Sequence, residues 1–318
     1  MTKKNNPQIA RTWRGLDGVL LFDKPLELSS NTALQKVRRL FQAEKAGHTG
    51  TLDPLATGLL PICFGEATKF SNALLDADKS YTALLRLGQT TTTGDAEGEI
   101  TAELPVDFTQ SHLDAVLDRF RGEIQQMPPM HSALKHQGKP LYEYIRQGIT
   151  LERPLRSVVI HELVLNRFAG LEMEISVRCS KGTYVRTLAE DIGAALGCGA
   201  HLIALRRTAI AHFKLADGYS LQQLTDMSDA ERDACVLPLV SLMPDMPQLL
   251  LDAIQIKRLA QGQRLGLDTG LPDGKIGLYG PDGFIGVGLQ QGRRIAPDRL
   301  LSGVAKRAAV MDLAGMVK

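Results

Sequence analysis

The sequence predicts an α+β protein with one large domain and a small, mostly β second domain. Three observations carry this expectation. The run LEMEISVRCS (171–180) alternates Met173, Ile175, Val177 and Cys179 with Glu172, Glu174, Ser176 and Arg178, the pattern of a strand with one wet face. Residues 111–121 place Leu113, Val116, Leu117 and Phe120 at helical spacing, with Gly122 where a stop belongs. Residues 247–318 hold 12 of the 30 glycines, and IGLYGPDGFIGVGL (276–289) there reads as a hairpin around Gly-Pro-Asp-Gly.

In chain order, residues 1–14 read as a flexible, basic and polar arm. GVLLFDKP (18–25) is a buried strand running into a loop stopped by proline. Ser30 or Asn31 caps a helix over about 31–44, with Leu34, Val37 and Phe41 on one face. GHTGTLDPLATG (47–58) holds three Gly, one Pro and three Thr and is a loop by every local signal. LLPICFG (59–65) and SYTALLRLG (80–88) read as strands, and TTTTGDAEGEI (90–100) as a polar loop. Residues 129–157 mix Pro, Gly, aromatic and basic residues and read as a mobile lobe with some helix. A helix near 184–196 is closed by Gly197, and HLIALRRT (201–208) reads as a shorter helical piece. The prolines of MPDMPQ (243–248) mark a boundary, giving domains over 15–246 and 247–318.

The charge is nearly balanced at +2, but it is unevenly placed. Residues 247–318 hold ten Lys/Arg against six Asp, and residues 129–157 hold five Lys/Arg against two Glu with two His. Two basic regions on a near-neutral chain point to a protein that grips RNA at chosen places. Cys63, Cys179, Cys198 and Cys235 form no CxxC pair, and the Cys198–His201 spacing has no second pair to complete a metal site. They read as reduced thiols. With no apolar leader core and no spanning segment, a cytoplasmic location is expected. Nothing resembles a P-loop or a dinucleotide fingerprint, so neither cofactor nor metal is expected.

Within GHTGTLDPLATG, Pro54 disfavours helix at Asp53, and the glycines let backbone approach a ligand. Leu52 and Leu55 would seat the loop on a core. A carboxylate fixed there can act as nucleophile or general base, although an Asp-Pro turn has the same composition. Tyr81 opens a strand and could stack on a nucleobase, or simply pack. Arg186 follows the SKGTY turn and could pair with a carboxylate. A cation in the first turn of a helix is mildly unfavourable unless an acid lies near it. His48 could touch a base or a phosphate, or neither.

The ordered combination says more than the single residues. GVLLFDKP (18–25), GHTGTLDPLATGLLPICFGEATK (47–69), KSYTALLRLGQTTTTGDAEGEI (79–100), MPPMHSALKHQGKPLYEYIRQG (127–148), CSKGTYVRTLAEDIG (179–193) and HLIALRRT (201–208) resemble the TruB-type tRNA pseudouridine synthases across nearly the whole chain. The resemblance implies the pseudouridine synthase fold: a mixed, largely antiparallel central sheet flanked by helices, followed by a small PUA-like β-barrel. It implies that Asp53 is the nucleophile, that Tyr81 stacks on the target uracil and moves a proton, and that Arg186 pairs with and orients Asp53, keeping it ionised. Tyr184 and Leu205 would line the uracil pocket. His48 would fill the gap left when bases flip out, and Lys24 and Pro25 would support the floor.

The implied substrate is the T-arm stem-loop of tRNA, at uridine 55 of the TΨC loop. The enzyme would act without guide RNA, cofactor, metal or membrane, and as a monomer, with 129–157 closing over the stem-loop. Three other readings are open to such a sequence. A tRNA-folding chaperone on the same scaffold could coexist with catalysis. A guide-dependent synthase of the dyskerin type shares the motif but not the 129–157 segment. An Asp-nucleophile glycosidase or phosphatase would need a second carboxylate or a metal cluster.

Overall fold

A computed structural model describes residues 12–132 and 134–304. It divides into two compact units: residues up to Gly65 together with Ser71–Val236, and Glu66–Phe70 together with Leu237 onward. The five residues 66–70 thus leave the first unit and return to it, which nothing in the sequence reading anticipates.

The first unit is built on a ten-stranded sheet. Its strands are β1 (Gly18–Lys24), β2 (Ala46–His48), β3 (Ala56–Phe64), β4 (Lys79–Leu87), β5 (Gly122–Gln126), β6 (Arg156–Ala169), β7 (Glu172–Cys179), β8 (Ala200–Ile210), β9 (Phe213–Lys214) and β10 (Tyr219–Ser220). The order is β10-β1-β3-β8-β4-β7-β6-β5, with β2 on β3 and β9 on β8. Only the β1–β10 and β3–β8 pairs are parallel, so the sheet is mixed and largely antiparallel, as the resemblance implies. Buried apolar side chains form two clusters, one gathering β1, β3 and the helix α1 (Ser30–Leu40), the other β4, β7 and the helices α2 (Gln110–Arg119) and α3 (Val185–Ala195). Tyr81 and Leu205 pack against both.

Several local expectations need correction. The first helix is capped by Ser29, whose side chain accepts from the Thr32 amide, and it ends at Leu40 instead of near 44. Ser30 is freed for another task, described below. The loop 47–58 is shorter than read, because His48 still belongs to β2 and β3 already begins at Ala56. The polar loop 90–100 contains a small hairpin, Gln89–Thr91 against Ile100–Glu103. HLIALRRT is not helical: it is most of β8, a central strand held between β3 and β4. Register shifts at Leu202/Ala204 and Arg207/Ala209 break its two-residue alternation, and ladder pairing on both sides overrides a weak helical preference. The 14-residue β6 went unread for the same reason, with a bulge between Ile160 and Glu162.

In the second unit, five strands pair in one sheet, and Gly274–Gly280 and Gly283–Gln291 form the hairpin read from the sequence. Leu251, Ile256, Leu259, Ile276, Leu278 and Ile295 make its core. Phe70 meets Phe284 edge-on at 5.7 Å, and Lys69 donates to the Leu300 carbonyl at 3.2 Å, which ties in the 66–70 turn. All four cysteines are buried and free. Burial pushes the Cys63 thiol up to about 12 and the Cys179 thiol up to about 11. No helix among the described residues is long and apolar enough to cross a membrane.

Candidate active site

The 49–55 loop carries Asp53 over the edge where β3 meets β8. Its shape is fixed from several sides. The Ser30 hydroxyl, buried at the start of α1, accepts from the Leu52 amide at 2.7 Å and donates to the Leu52 carbonyl at 2.8 Å. Leu52 sinks into one apolar cluster and Leu55 packs on the other, so the loop straddles both. Lys24, fully buried, donates to the carbonyls of Pro25 at 2.9 Å, Leu28 at 2.6 Å and Pro54 at 3.5 Å. Burial lowers its ammonium to about 8, against the pull of Asp53. The Glu27 amide donates to the Pro54 carbonyl at 3.0 Å, and Asp53 closes a turn by accepting from the Ala56 amide at 3.1 Å. Gly50 has φ +85°, a left-handed conformation that favours glycine.

Arg186 reaches this loop from the first turn of α3. Its Nη2 lies 2.9 Å from an Asp53 oxygen, and its Nη1 lies 3.3 Å from Asp95. The same guanidinium donates to the Thr93 carbonyl at 3.2 Å and the His131 carbonyl at 2.6 Å. Two carboxylates thus answer the helix-dipole objection to a cation at this position. Asp95, only 2% exposed, is itself held by the Thr93 hydroxyl at 2.5 Å and the Glu97 amide at 3.1 Å. Desolvation raises the Asp53 carboxyl above its ordinary value, and Asp95 adds to the rise, while Arg186 and Lys24 oppose it. The expectation that Arg186 governs Asp53 captures the opposing effect; burial is the larger one.

Asp53 stands between two cavities. The inner one, about 360 Å³, is lined by Asp53, Tyr81, Tyr184, Arg186, Leu205 and Arg207 among others. Leu205 is brought there by its register opposite Ala56 on β3 and Ala83 on β4. Tyr184 precedes α3, and its backbone is gripped in both directions by the buried Gln126 side chain at the end of β5. The outer cavity, about 610 Å³, is lined by His48, Asp53, Asp95, Glu97, Tyr142 and Arg146 among others. Burial, with Arg207 second, lowers the His48 imidazole below its ordinary value, which favours the neutral ring. Tyr142 and Arg146 come from the basic 129–157 segment, which forms a two-residue hairpin (Lys135–His136 with Lys139–Pro140) and a one-turn helix (Leu141–Ile145).

The structure therefore brings Asp53, Tyr81, Tyr184, Arg186 and Leu205 around one cavity and puts His48 in the adjoining one. Lys24 lies beneath the loop, and Pro25 offers it a carbonyl. Sequence reasoning missed Asp95 and Arg207. Asp95 sits in a polar stretch with no periodicity, and its only signal was an acid beside a glycine. Arg207 lies in the run misread as helix.

A mixed, largely antiparallel central sheet with an aspartate–arginine pair beside a tyrosine-lined cavity is the arrangement expected of a pseudouridine synthase. Comparison with known proteins gives the family. Residues 38–185 match the TruB family pseudouridylate synthase N-terminal domain, 186–243 the tRNA pseudouridylate synthase B C-terminal domain, and 247–301 the C-terminal domain of pseudouridine synthase II TruB. The chain is 57% identical over 296 residues to tRNA pseudouridine synthase B of Methylobacillus flagellatus, covering 92% of this chain and 98% of that one. It is 53% identical to the protein of the same name from an Azoarcus species, covering 91% and 96%. Among solved structures, it is similar to a chain of a Cbf5–Nop10–Gar1 complex, with TM-score 0.68, 25% identity, and 89% and 84% of the two chains covered. The chain belongs to the TruB family of tRNA pseudouridine synthases, isomerases that make pseudouridine in tRNA. The five-stranded sheet of the second unit is accordingly PUA-like.

Proposed function

We propose that this chain converts uridine 55 in the TΨC loop of tRNA to pseudouridine, with Asp53 as the reactive carboxylate. The observation that carries the reading is the Asp53–Arg186 pair, 2.9 Å apart, at the mouth of a cavity of about 360 Å³ lined by Tyr81, Tyr184 and Leu205. The reaction breaks the C1′–N1 bond, turns the uracil and joins C1′ to C5. It changes no oxidation state and needs no external energy. The target base is unreachable inside a stacked loop, so it leaves the stack at a cost of a few kcal/mol, offset in part by Tyr81 and Tyr184. His48, neutral and in the outer cavity, takes the room the base vacates.

Three first steps suit this geometry: attack of Asp53 on C1′, attack on C6, or removal of a sugar proton to give a glycal. Each uses one ionised carboxylate held by one cation. Lys24 and Pro25 keep the floor of the loop in place, and the 129–157 segment closes over the T-arm from the outer cavity. The second domain adds a basic RNA-binding surface. The enzyme works as a monomer in the cytoplasm, where its substrate is, and without a guide RNA; the names of its curated relatives specify tRNA. Asp53→Asn tests the assignment. The variant is expected to fold and to bind tRNA, and to form no pseudouridine in a tritium-release assay; substantial turnover would remove Asp53 from the chemistry.

A further inference from the structure

We propose that Gln126 is a positioning residue of the active site: its side-chain amide fixes the backbone of Tyr184 and so aims the Tyr184 ring into the inner cavity. The inference deepens the function proposed above and rests on it, since it assumes that this ring meets the uracil.

Gln126 is the last residue of β5, which among the described residues pairs only with β6. Ile124 on β5 packs on the apolar cluster of β4, β7 and α3, and Gln126, two residues on, shares its face. Gln126 is 2% exposed. A buried amide on an apolar face is destabilising unless its polar atoms are paired. Here both go to one residue. The Tyr184 amide donates to Gln126 Oε1 at 3.1 Å, and Gln126 Nε2 donates to the Tyr184 carbonyl at 3.3 Å. The side chain thus pairs with Tyr184 as a neighbouring strand would. Two bonds to one residue set the tilt of its backbone as well as its place.

Tyr184 stands where such a hold matters. It lies between α3 and the 180–183 turn, which the Thr183 hydroxyl closes by donating to the Ser180 carbonyl at 2.9 Å. Its backbone is extended, with φ −103° and ψ 110°, and it caps α3 without a side-chain bond of its own. Its carbonyl also accepts from the Leu188 amide at 3.0 Å, but its amide is held by Gln126. The ring leaves from this residue for the cavity that Asp53, Tyr81 and Leu205 also line. A shift of the backbone at 184 would move that wall.

Gln126 also stands where the 127–155 segment leaves the sheet, opposite Arg156, where it returns. A role in anchoring that segment predicts weaker tRNA binding. A role in aiming Tyr184 predicts slower chemistry on bound tRNA.

Gln126→Leu keeps most of the side-chain bulk and removes both bonds. Two measurements on an unmodified tRNA transcript test the proposal: affinity by filter binding, and the single-turnover rate at saturating protein. Affinity is expected to stay within about twofold, and the rate to fall about tenfold or more. In a Tyr184→Ala background the same substitution is expected to cost no more than about twofold further, because no ring is left to aim. An unchanged rate, equal losses of rate in the two backgrounds, or a loss of affinity alone overturns the proposal and leaves Gln126 a brace for the sheet edge. Should Gln126→Leu not fold, Gln126→Asn takes its place in the same cycle. It keeps a buried amide one methylene short of Tyr184, and the same results support or overturn the proposal. If the unsubstituted protein forms no pseudouridine, the functional reading fails and this inference falls with it. An active protein in which Tyr184→Ala keeps the parental rate overturns the inference alone.

Discussion

At the residue scale, the site is a problem in placing charge. In the function proposed above Asp53 reacts as an ionised carboxylate, and burial works against that form. Arg186 counters it from 2.9 Å, and Asp95 on the other side limits how much of the cation is available to Asp53. The sign of the pH dependence follows. The raised Asp53 carboxyl takes up its proton at a higher pH than a free carboxyl, so activity is lost on the acid side earlier than the ordinary carboxylate range would set. Arg186→Gln removes an influence that lowers the value. The acid limb of the rate profile is therefore expected to move up by about one pH unit or more, with rates on the limb itself falling about tenfold or more and the plateau above it recovered. A single-turnover profile with an unmoved acid limb would show that Arg186 does not act through the Asp53 charge.

What was legible at this scale was residue identity. Asp53, Tyr81, Tyr184 and Leu205 come from four separate segments, and no spacing rule joins them; the ordered resemblance named them, and the fold shows why they can meet. Asp95 and Arg207 stayed hidden because burial and cross-strand register are properties of the assembled sheet. Ser30 was read as a helix cap, and the structure gives that task to Ser29 while Ser30 clamps Leu52.

At the element scale, legibility tracked regularity. The helix face at 113–120 and the alternation at 172–179 both appear as buried stripes, since their periods are unbroken. β6 and β8 each carry register shifts that break their alternation. Two short helices, Leu221–Asp226 and Asp229–Ala234, begin with full capping boxes at Ser220–Gln223 and Ser228–Glu231. That signature is present in SLQQ and SDAE, in a stretch for which the sequence analysis names no element. The element on which the site most depends is the β3–β8 pair. Gly58 on β3 has φ +100°, and a Cβ there would stand 2.3 Å from the Arg207 carbonyl oxygen. Gly58→Ala is expected to cost about 2 kcal/mol or more in urea denaturation, from backbone strain and overpacking together, and to lower the rate by moving Arg207. A variant as stable and active as the parent would mean that the two strands part without consequence.

At the scale of the whole molecule, the two compact units divide differently from the sequence. The contact boundary falls at Val236/Leu237, the prolines suggested 246/247, and residues 66–70 belong with the distant C-terminal segment. Such an excursion leaves no local signal, because each partner's composition is ordinary and only the fold joins them. The basic 129–157 segment, with Tyr142 and Arg146 at the outer cavity, is where binding of the T-arm should be felt. Limited proteolysis is expected to cut this segment in the free protein and to be slowed severalfold by unmodified tRNA. Equal cleavage with and without tRNA would count against its closing over the RNA.

The central claim is that this chain alone makes pseudouridine at one place in tRNA. Its most direct test is to incubate the purified protein with an unmodified tRNA transcript, with no other RNA present, and to map pseudouridine by nucleotide. The account predicts modification at uridine 55 and nowhere else, abolished by Asp53→Asn. No pseudouridine, pseudouridine at another position, or activity only after a guide RNA is added would contradict it.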